Sequence, residues 1–533
     1  MNEYAGTRDL IKLYVRRDRV KLPLGLLIMV GIVASNVSGF AKLYTTAKER
    51  MDFANGVNGN AAQLFMYGPV VRTDSLGGLV AWRSAALGGL IIGLISLFAV
   101  IRHSRGEEET GRAELIRAGV VGPRAQLAAA FTVAVVGNVV AALYMAITMV
   151  FQGLPWTGSL ALGLGLGATG CVFAAVGAIA AQLTESARAA RGIASAVVGA
   201  AFLLRALGDV SKGGASWVVW LSPIGWLERL DSFAGERWWV LALALAATGV
   251  LTAAAFALCD RRDLGAGLLP DRPGPATAAP GLRTPLALAW RLHRPALLGW
   301  TAGFVVIGAV TGGAGKSIAD QVNSSSALKK MFENLGGHGD LVDAYLATAM
   351  GTLGLIAAAY AVQAALRPYQ EETAGRAEPV LATRTSRLGW AASHLVFALL
   401  GPAVALAAGG LAAGLVYGAS THQIGHQVPR LLGAALVQLP AVWILAALTT
   451  ALFGLAPRVV QAAWGVLVLF LLLGQLGGAF GWNKTLLDVS PFTHIPRVPV
   501  ESLSATPLLV LVALAAALTA AGLAGLRRRA VGS

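Results

Sequence analysis

Apolar residues run along this chain in blocks of about 20, each bounded by short polar segments. A run of that length spans a bilayer as a helix, because lipid offers no partner to an unpaired backbone group. In the first half the blocks cover about Leu22–Leu43, a second ending near Ile101, Gln126–Phe151, Leu160–Leu183, Ile193–Leu207 and Val240–Leu258. In the second they cover about Ala296–Val310, Tyr345–Leu366, Leu388–Val416, Leu431–Leu455, Val460–Phe480 and Leu508–Leu526. The pattern predicts an all-α polytopic membrane protein of about twelve transmembrane helices.

The order of elements repeats. Each half has a surface helix, a span, a long polar loop, a span, a charged element, two spans, a short loop, a span, a Ser-Pro stretch and a span. Six spans per repeat make it a parallel one. The predicted division is residues 1–259, a Pro-rich linker over 260–284 of disordered or extended composition, and residues 285–533. The first surface helix, Thr7 to Lys21, sets Arg8, Lys12, Arg16, Arg17 and Arg19 among Leu10, Ile11, Leu13, Tyr14 and Val15, which suits the inner leaflet. Arg291, His293 and Arg294 echo Arg16, Asp18 and Arg19 before the second half.

The charged element occurs as Glu107-Glu108-Glu109-Thr110-Gly111-Arg112-Ala113-Glu114 and again as Glu371-Glu372-Thr373-Ala374-Gly375-Arg376-Ala377-Glu378. Glu108 and Arg112 are four apart, as are Glu372 and Arg376, a helical pairing worth roughly 0.2–0.5 kcal/mol. A single copy reads as a solvated helix; duplication points to a docking element. Gly111 and Gly375 would each cost a helix interior about 1 kcal/mol relative to Ala, so they predict a bend or a tight contact. Pro379, where the first copy has Leu115, disfavours a helical Glu378 and predicts a broken second element.

Composition supports the membrane reading. The 533 residues are 56% hydrophobic and 13% charged, against about 25% charged in a soluble domain. The net charge of +15 suits positive-inside loops and anionic lipid rather than nucleic acid. With the N-terminus inside, about 27 of the 42 Lys and Arg fall on the inner side and about 14 outside. Both termini, the linker and both charged elements are then cytoplasmic. Residues 1–20 hold no short apolar core ending in a cleavage site, so no cleavable signal peptide is expected. Cys171, Cys259, His422 and His426 form neither a disulfide framework nor a metal site. Gly315-Lys316-Ser317 lacks the leading glycine of a phosphate-binding loop, which would fall at Val310.

Further motifs are Arg188-Ala189-Ala190-Arg191-Gly192, Leu203-Leu204-Arg205-Ala206-Leu207-Gly208-Asp209, Leu221-Ser222-Pro223-Ile224-Gly225-Trp226 and Ser490-Pro491-Phe492-Thr493-His494. With the two charged elements, they make the chain resemble a fused twelve-span permease of an ATP-binding-cassette exporter, ABC-2 type. Within it, the chain resembles the actinobacterial polyketide-antibiotic or tetronasin exporter group. The resemblance implies that the charged elements are coupling helices, each docking on one of two copies of a separate ATPase that holds ATP and Mg. This chain would carry no cofactor and no catalytic residue. It implies a bacterial plasma-membrane location and a hydrophobic or amphipathic small-molecule substrate.

Arg205 and Asp209 read either as a structural ion pair or as part of an outer gate. Ser222, Pro223 and Trp226, with Ser490, Pro491 and Phe492, read either as an interfacial aromatic belt or, by the resemblance, as short re-entrant caps on the pathway. Gln363, His394, Gln438 and Gln475 are expected to bond between helices. The rival reading is a proton-coupled transporter of the major facilitator type. Its relay carboxylates are missing from the spans, and the long loops after spans one and seven do not suit it.

Overall fold

The computed structural model describes residues 2–59, 61–211, 216–263, 265–269, 276–277, 279–324, 339–476 and 484–529. Regular structure among them is entirely helical. The chain separates into two units, Met1–Gly274 and Pro275–Ser533.

The first unit contains α1 (Thr7–Arg17), α2 (Lys21–Leu43), α3 (Ala47–Asn58), α4 (Ala61–Tyr67), α5 (Leu76–His103), α6 (Arg105–Glu109), α7 (Arg112–Arg117), α8 (Ala125–Phe151), α9 (Trp156–Leu183), α10 (Ala187–Val210), α11 (Pro223–Arg229) and α12 (Trp239–Cys259). The second contains α13 (Pro285–Ser324), α14 (Gly339–Ala365), α15 (Arg367–Thr373), α16 (Ala377–Leu381), α17 (Arg387–Ser420), α18 (Ile424–Leu436), α19 (Leu439–Leu455), α20 (Ala462–Leu476), α21 (Lys484–Leu487) and α22 (Ala505–Arg528).

Among the described residues, eleven helices are long and apolar enough to cross a membrane. Six lie in the first unit, from Pro23–Leu43 to Trp239–Cys259, and five in the second, from Pro285–Lys316 to Ala505–Arg528. The eleventh predicted span is the short apolar helix α20; residues 477–483, which would continue it, lie outside the described residues.

Several boundaries differ from the sequence reading for local reasons. Ser186 caps α10 by accepting from the Ala189 N–H at 3.1 Å, so Arg188 and Arg191 occupy the first turns of a span rather than a loop. His426 and Arg430 lie inside α18 instead of in a loop before it. The second surface segment is the start of α13, which runs unbroken for 40 residues through Pro295. By contrast α1 ends at Arg17, and its Leu10 and Tyr14 pack on Ala125, Ala129, Ala130 and Val133 of α8. The first polar loop folds into α3 and α4, with Thr46 and Glu49 forming a capping box at the start of α3.

The beginning of the linker is ordered. Leu268 and Leu269 donate backbone N–H groups to Gln182 and Leu183 at 3.1 and 2.8 Å. Proline composition had suggested disorder from residue 260, but free carbonyls at the end of α9 give this segment partners.

Small residues bring the helices together. Gly167 of α9 has room for no side chain, since a Cβ there would sit 2.9 Å from the Asn138 carbonyl of α8. Gly177 approaches Leu97 of α5 equally closely. In the second unit, Gly454 of α19 and Gly522 of α22 touch backbone to backbone, and a Cβ on either would collide with the other helix. Lipid supplies no hydrophobic drive between helices, so close van der Waals contact of this kind holds them. Replacing Gly454 with Leu should lower the melting temperature in detergent, at a cost of about 1–3 kcal/mol for overpacking. Gly465 of α20 has nothing within 4 Å, and Gly465→Leu should leave the transition unmoved.

Candidate functional site

The two charged elements share one shape. At the end of α5 the chain breaks at Ser104, forms α6, turns at Gly111 and continues as α7. At the end of α14 it passes Leu366, forms α15, turns at Gly375 and continues as α16. Gly111 and Gly375 have φ of 71° and 70°, left-handed values that cost a residue with a Cβ about 1–2 kcal/mol. Each element is therefore an elbow of two short helices.

The buried side of the first elbow is a carboxylate–guanidinium network. Glu108 accepts a two-pronged bond from Arg262, both contacts at 2.7 Å, and a third from Arg105 at 2.9 Å. Arg105 is fully buried and also donates to the carbonyls of Ala181, Gly265 and Ala266 at 2.9, 3.2 and 2.9 Å. Arg262 reaches the Gln182 side chain at 2.7 Å. Glu107 pairs with Arg17 at 2.6 Å, and Glu109 accepts from the Ala187 N–H at 3.0 Å. Next to them, Asp18 accepts from Arg102 and sits 2.5 Å from the His103 ring, which stacks on Tyr14.

The second elbow repeats the main feature. Glu372, which aligns with Glu108, accepts a two-pronged bond from Arg529 at 2.9 and 2.6 Å. Arg262 lies just past α12, and Arg529 just past α22. In each half, then, the second glutamate of the elbow is clamped by an arginine at the end of that half's last span. Glu371, which aligns with Glu107, pairs with Arg367 and Arg376 at 2.8 Å each.

These contacts correct two expectations. Neither Glu108–Arg112 nor Glu372–Arg376 forms a helical pair, because the left-handed glycine between them ends the helix and the glutamates are taken by more distant arginines. The second element is not broken by Pro379 either. Pro379 falls in the first turn of α16, where its missing N–H has no intrahelical partner to lose, and Glu378 is helical.

What remains exposed is the tip. Arg112, Glu114 and Leu115 face outward on the first elbow, and Arg376, Glu378 and Pro379 on the second, while Ala113 and Ala377 are buried beneath them.

The opposite ends of the spans carry a separate cluster in the first unit. Arg205 of α10 is fully buried and donates to the carbonyls of Leu64, Phe65 and Met66 at 3.4, 3.0 and 3.2 Å, closing the last turn of α4. Its charge is met by Asp209 at 3.6 Å and Glu228 at 3.3 Å, and Asp209 accepts from Arg229 at 2.9 Å. Ser222 caps α11 through the N–H groups of Ile224 and Gly225, with Pro223 in its first position. Trp226 donates to the Trp220 carbonyl at 2.6 Å. The Ser222–Trp226 motif thereby positions Glu228 and Arg229 against Arg205. In the second unit, Ser490 and Pro491 are buried, and Pro491–His494 forms a single 3₁₀ turn from which Phe492 half-buries against the cluster of Ala441, Ile444 and Leu511.

Sequence reasoning missed Arg105, Arg262, Arg529, Glu228 and Arg229. The available signal was that Arg262 and Arg529 close equivalent spans, but the positive-inside pattern accounted for both. Interhelical bonds do form at Gln363, from Trp300 at 2.8 Å, and at His394, to His293 at 2.9 Å. Gly315-Lys316-Ser317 lies within α13, and a continuous helix offers no cradle of free N–H groups to a phosphate.

Two consequences are measurable. Arg262→Ala should speed backbone hydrogen exchange over residues 105–117 and leave 367–381 protected, and Arg529→Ala should do the reverse. Exchange faster in both elbows, or in neither, would contradict independent clamps. Burial pushes the Glu228 carboxyl well above the usual carboxylate range, against the pull of Arg205 and with a further rise from Asp209. A raised folded pKa means stability that is full below the ordinary glutamate value, about 4.3, and lost as pH climbs through the raised one. The melting temperature should therefore fall as pH rises above 4.3, and Glu228→Gln should flatten that slope.

Residues 282–527 match a family model described as the C-terminal domain of the multidrug efflux system permease Rv1217c. Over its full length the chain is 45% identical to the multidrug efflux system permease protein Rv1217c of Mycobacterium tuberculosis, an alignment of 529 residues covering 99% of this chain and 96% of the relative.

Proposed function

The chain belongs to the permease family of that mycobacterial protein, and on this premise we propose that it is the membrane subunit of an ATP-driven exporter of ABC-2 type. The observation that carries the reading is the duplicated elbow. Each half ends its second span in the same bent element, secures it from behind through a buried glutamate, and leaves a small charged tip exposed. A surface rigid at its base and polar at its tip suits docking on a soluble partner. Two such surfaces suit two copies of one ATPase, on which ATP and Mg would reside.

In this reading the elbows face the cytoplasm, as do both termini and the linker over 260–284, in a bacterial plasma membrane. The halves 1–259 and 285–533 each bring one elbow. Closure of the ATPase pair pushes on the elbow tips, and the clamps carry that displacement to the end of each half's last span, driving alternating access. The cargo is hydrophobic or amphipathic, in keeping with the relative's description as a multidrug efflux permease and with spans poor in fixed charge. The polyketide-antibiotic class is the finer assignment we favour. Arg205, Asp209, Glu228 and the Ser222–Trp226 cap form the outer end of the pathway in the first half.

The test is co-purification with a candidate ATPase encoded beside this chain, with ATPase activity and drug export read in the same reconstituted vesicles. Arg112→Glu combined with Glu378→Arg reverses exposed tip charges and leaves both clamps intact. Loss of binding, or hydrolysis no longer stimulated by the permease, is the expected result. Export that persists without any ATPase and follows an imposed proton gradient would overturn the proposal in favour of a secondary transporter.

A further inference from the structure

The first unit holds an apolar hollow of about 340 Å³ enclosed by α1, α2, α5 and α8. Ile11 and Val15 of α1 form its upper lip, and Met29, Ile95, Val133 and Val140 line its walls. It is open on the side where Val15, Val136 and Val140 are about half exposed, the side that a chain crossing the membrane turns toward lipid. The Ser96 hydroxyl inside is occupied, donating to the Ile92 carbonyl at 2.7 Å and lying 3.0 Å from the Asn138 carboxamide oxygen.

Depth follows from the helix rise of 1.5 Å per residue. The lining residues begin about 3 Å from the start of α2 and about 6 Å from the end of α5, and end about 24 Å from the start of α8. The hollow therefore opens in the leaflet on the elbow side and, along α8, runs past the midplane of a core about 30 Å thick. It is long enough to take one acyl chain of that leaflet.

The lip is flanked by cations. Arg8, Lys12 and Arg16 follow one another at four-residue spacing, forming a row beside Ile11 and Val15 on the same helix. All three are exposed. Lys12 has Asp9 at 3.2 Å, but both side chains remain largely in solvent. Arg17, on the other side of α1, is already committed to Glu107. The opposite face of α1 is fixed on α8 through Leu10 and Tyr14, and Asp18 at its end is held by Arg102 and His103. The cationic row is thus held in place above an apolar slot.

We propose that this slot is a binding site for one anionic phospholipid of the elbow-side leaflet, with an acyl chain in the hollow and the phosphate over Arg8, Lys12 and Arg16. Charge complementarity selects the headgroup, and the nearly unbroken apolar wall selects the chain. The site needs only that the chain spans a membrane; it does not depend on the ATPase reading. A bound lipid here links α1 to α2, α5 and α8. Because α1 is tied to the first elbow through Arg17–Glu107, occupancy steadies that elbow.

Native mass spectrometry of the full-length, delipidated protein in detergent tests this, with phosphatidylglycerol and phosphatidylcholine of matched chains added in parallel. Phosphatidylglycerol should be retained as one saturable copy and phosphatidylcholine should not. The triple change Arg8→Gln, Lys12→Gln and Arg16→Gln should weaken retention on the order of a hundredfold, from about 1 kcal/mol for each cation near the surface. Gly25→Leu is the second arm. A Cβ at Gly25 meets only Ile95, at 3.7 Å, so the added side chain fills the slot without striking backbone, and it should abolish retention at unchanged melting temperature. Equal retention of the two lipids, or wild-type retention in both variants, would sink the proposal. Displacement of phosphatidylglycerol by the neutral hydrophobic dye Nile red, copy for copy, would reassign the slot to cargo.

Discussion

A carboxylate withdrawn from water at the edge of a bilayer must be met by a cation, because neither lipid nor apolar side chains can hold its charge. Glu108 and Glu372 are in that position, and each is met by both prongs of one guanidinium. Arginine suits the task better than lysine, since its planar fork matches two carboxylate oxygens and its charge survives burial. The rest of the elbow follows. The short helix before the glycine is held in place, the glycine allows the turn, and the exposed tip points away from the spans.

The clamp also determines what moves together. Its arginine comes from the end of the last span of the same half, and its glutamate from the end of the second. In the first half, Arg105 and Gln182 extend the network to α9 and the start of the linker. Removing one partner from such a buried set typically costs several kcal/mol, because the remaining charge is left unpaired. A force on the elbow tip therefore passes to span ends rather than being lost in a flexible loop. The spans are in turn in backbone contact through glycine and alanine, and close-packed helices shift as bodies rather than deform.

At the other end of the first unit a buried arginine plays the organising part. Arg205 satisfies the last carbonyls of α4 and anchors α11 through Glu228, so three elements meet on one charge. The second unit has no matching ionic knot among its described residues near Ser490–Phe492. Among the described residues, the repeat is symmetrical where the elbows are.

The sequence by itself determined the membrane class, the approximate positions of the spans, and the duplication of the charged element. Span composition is dictated by lipid contact along the whole of each helix, so it is written locally. It also marked Gly111 and Gly375, whose left-handed backbone is a local property. Partners of the charges were not local. Glu108 and Arg262 are 154 residues apart and Glu372 and Arg529 are 157 apart, and a helical spacing rule proposed nearer arginines that the glycine turn carries away. Pro379 likewise reads as a helix breaker until the fold places it in a first turn. Only the packing of the spans brings the distant arginines to the elbows, because burial, rather than proximity along the chain, decides which cation a carboxylate must take.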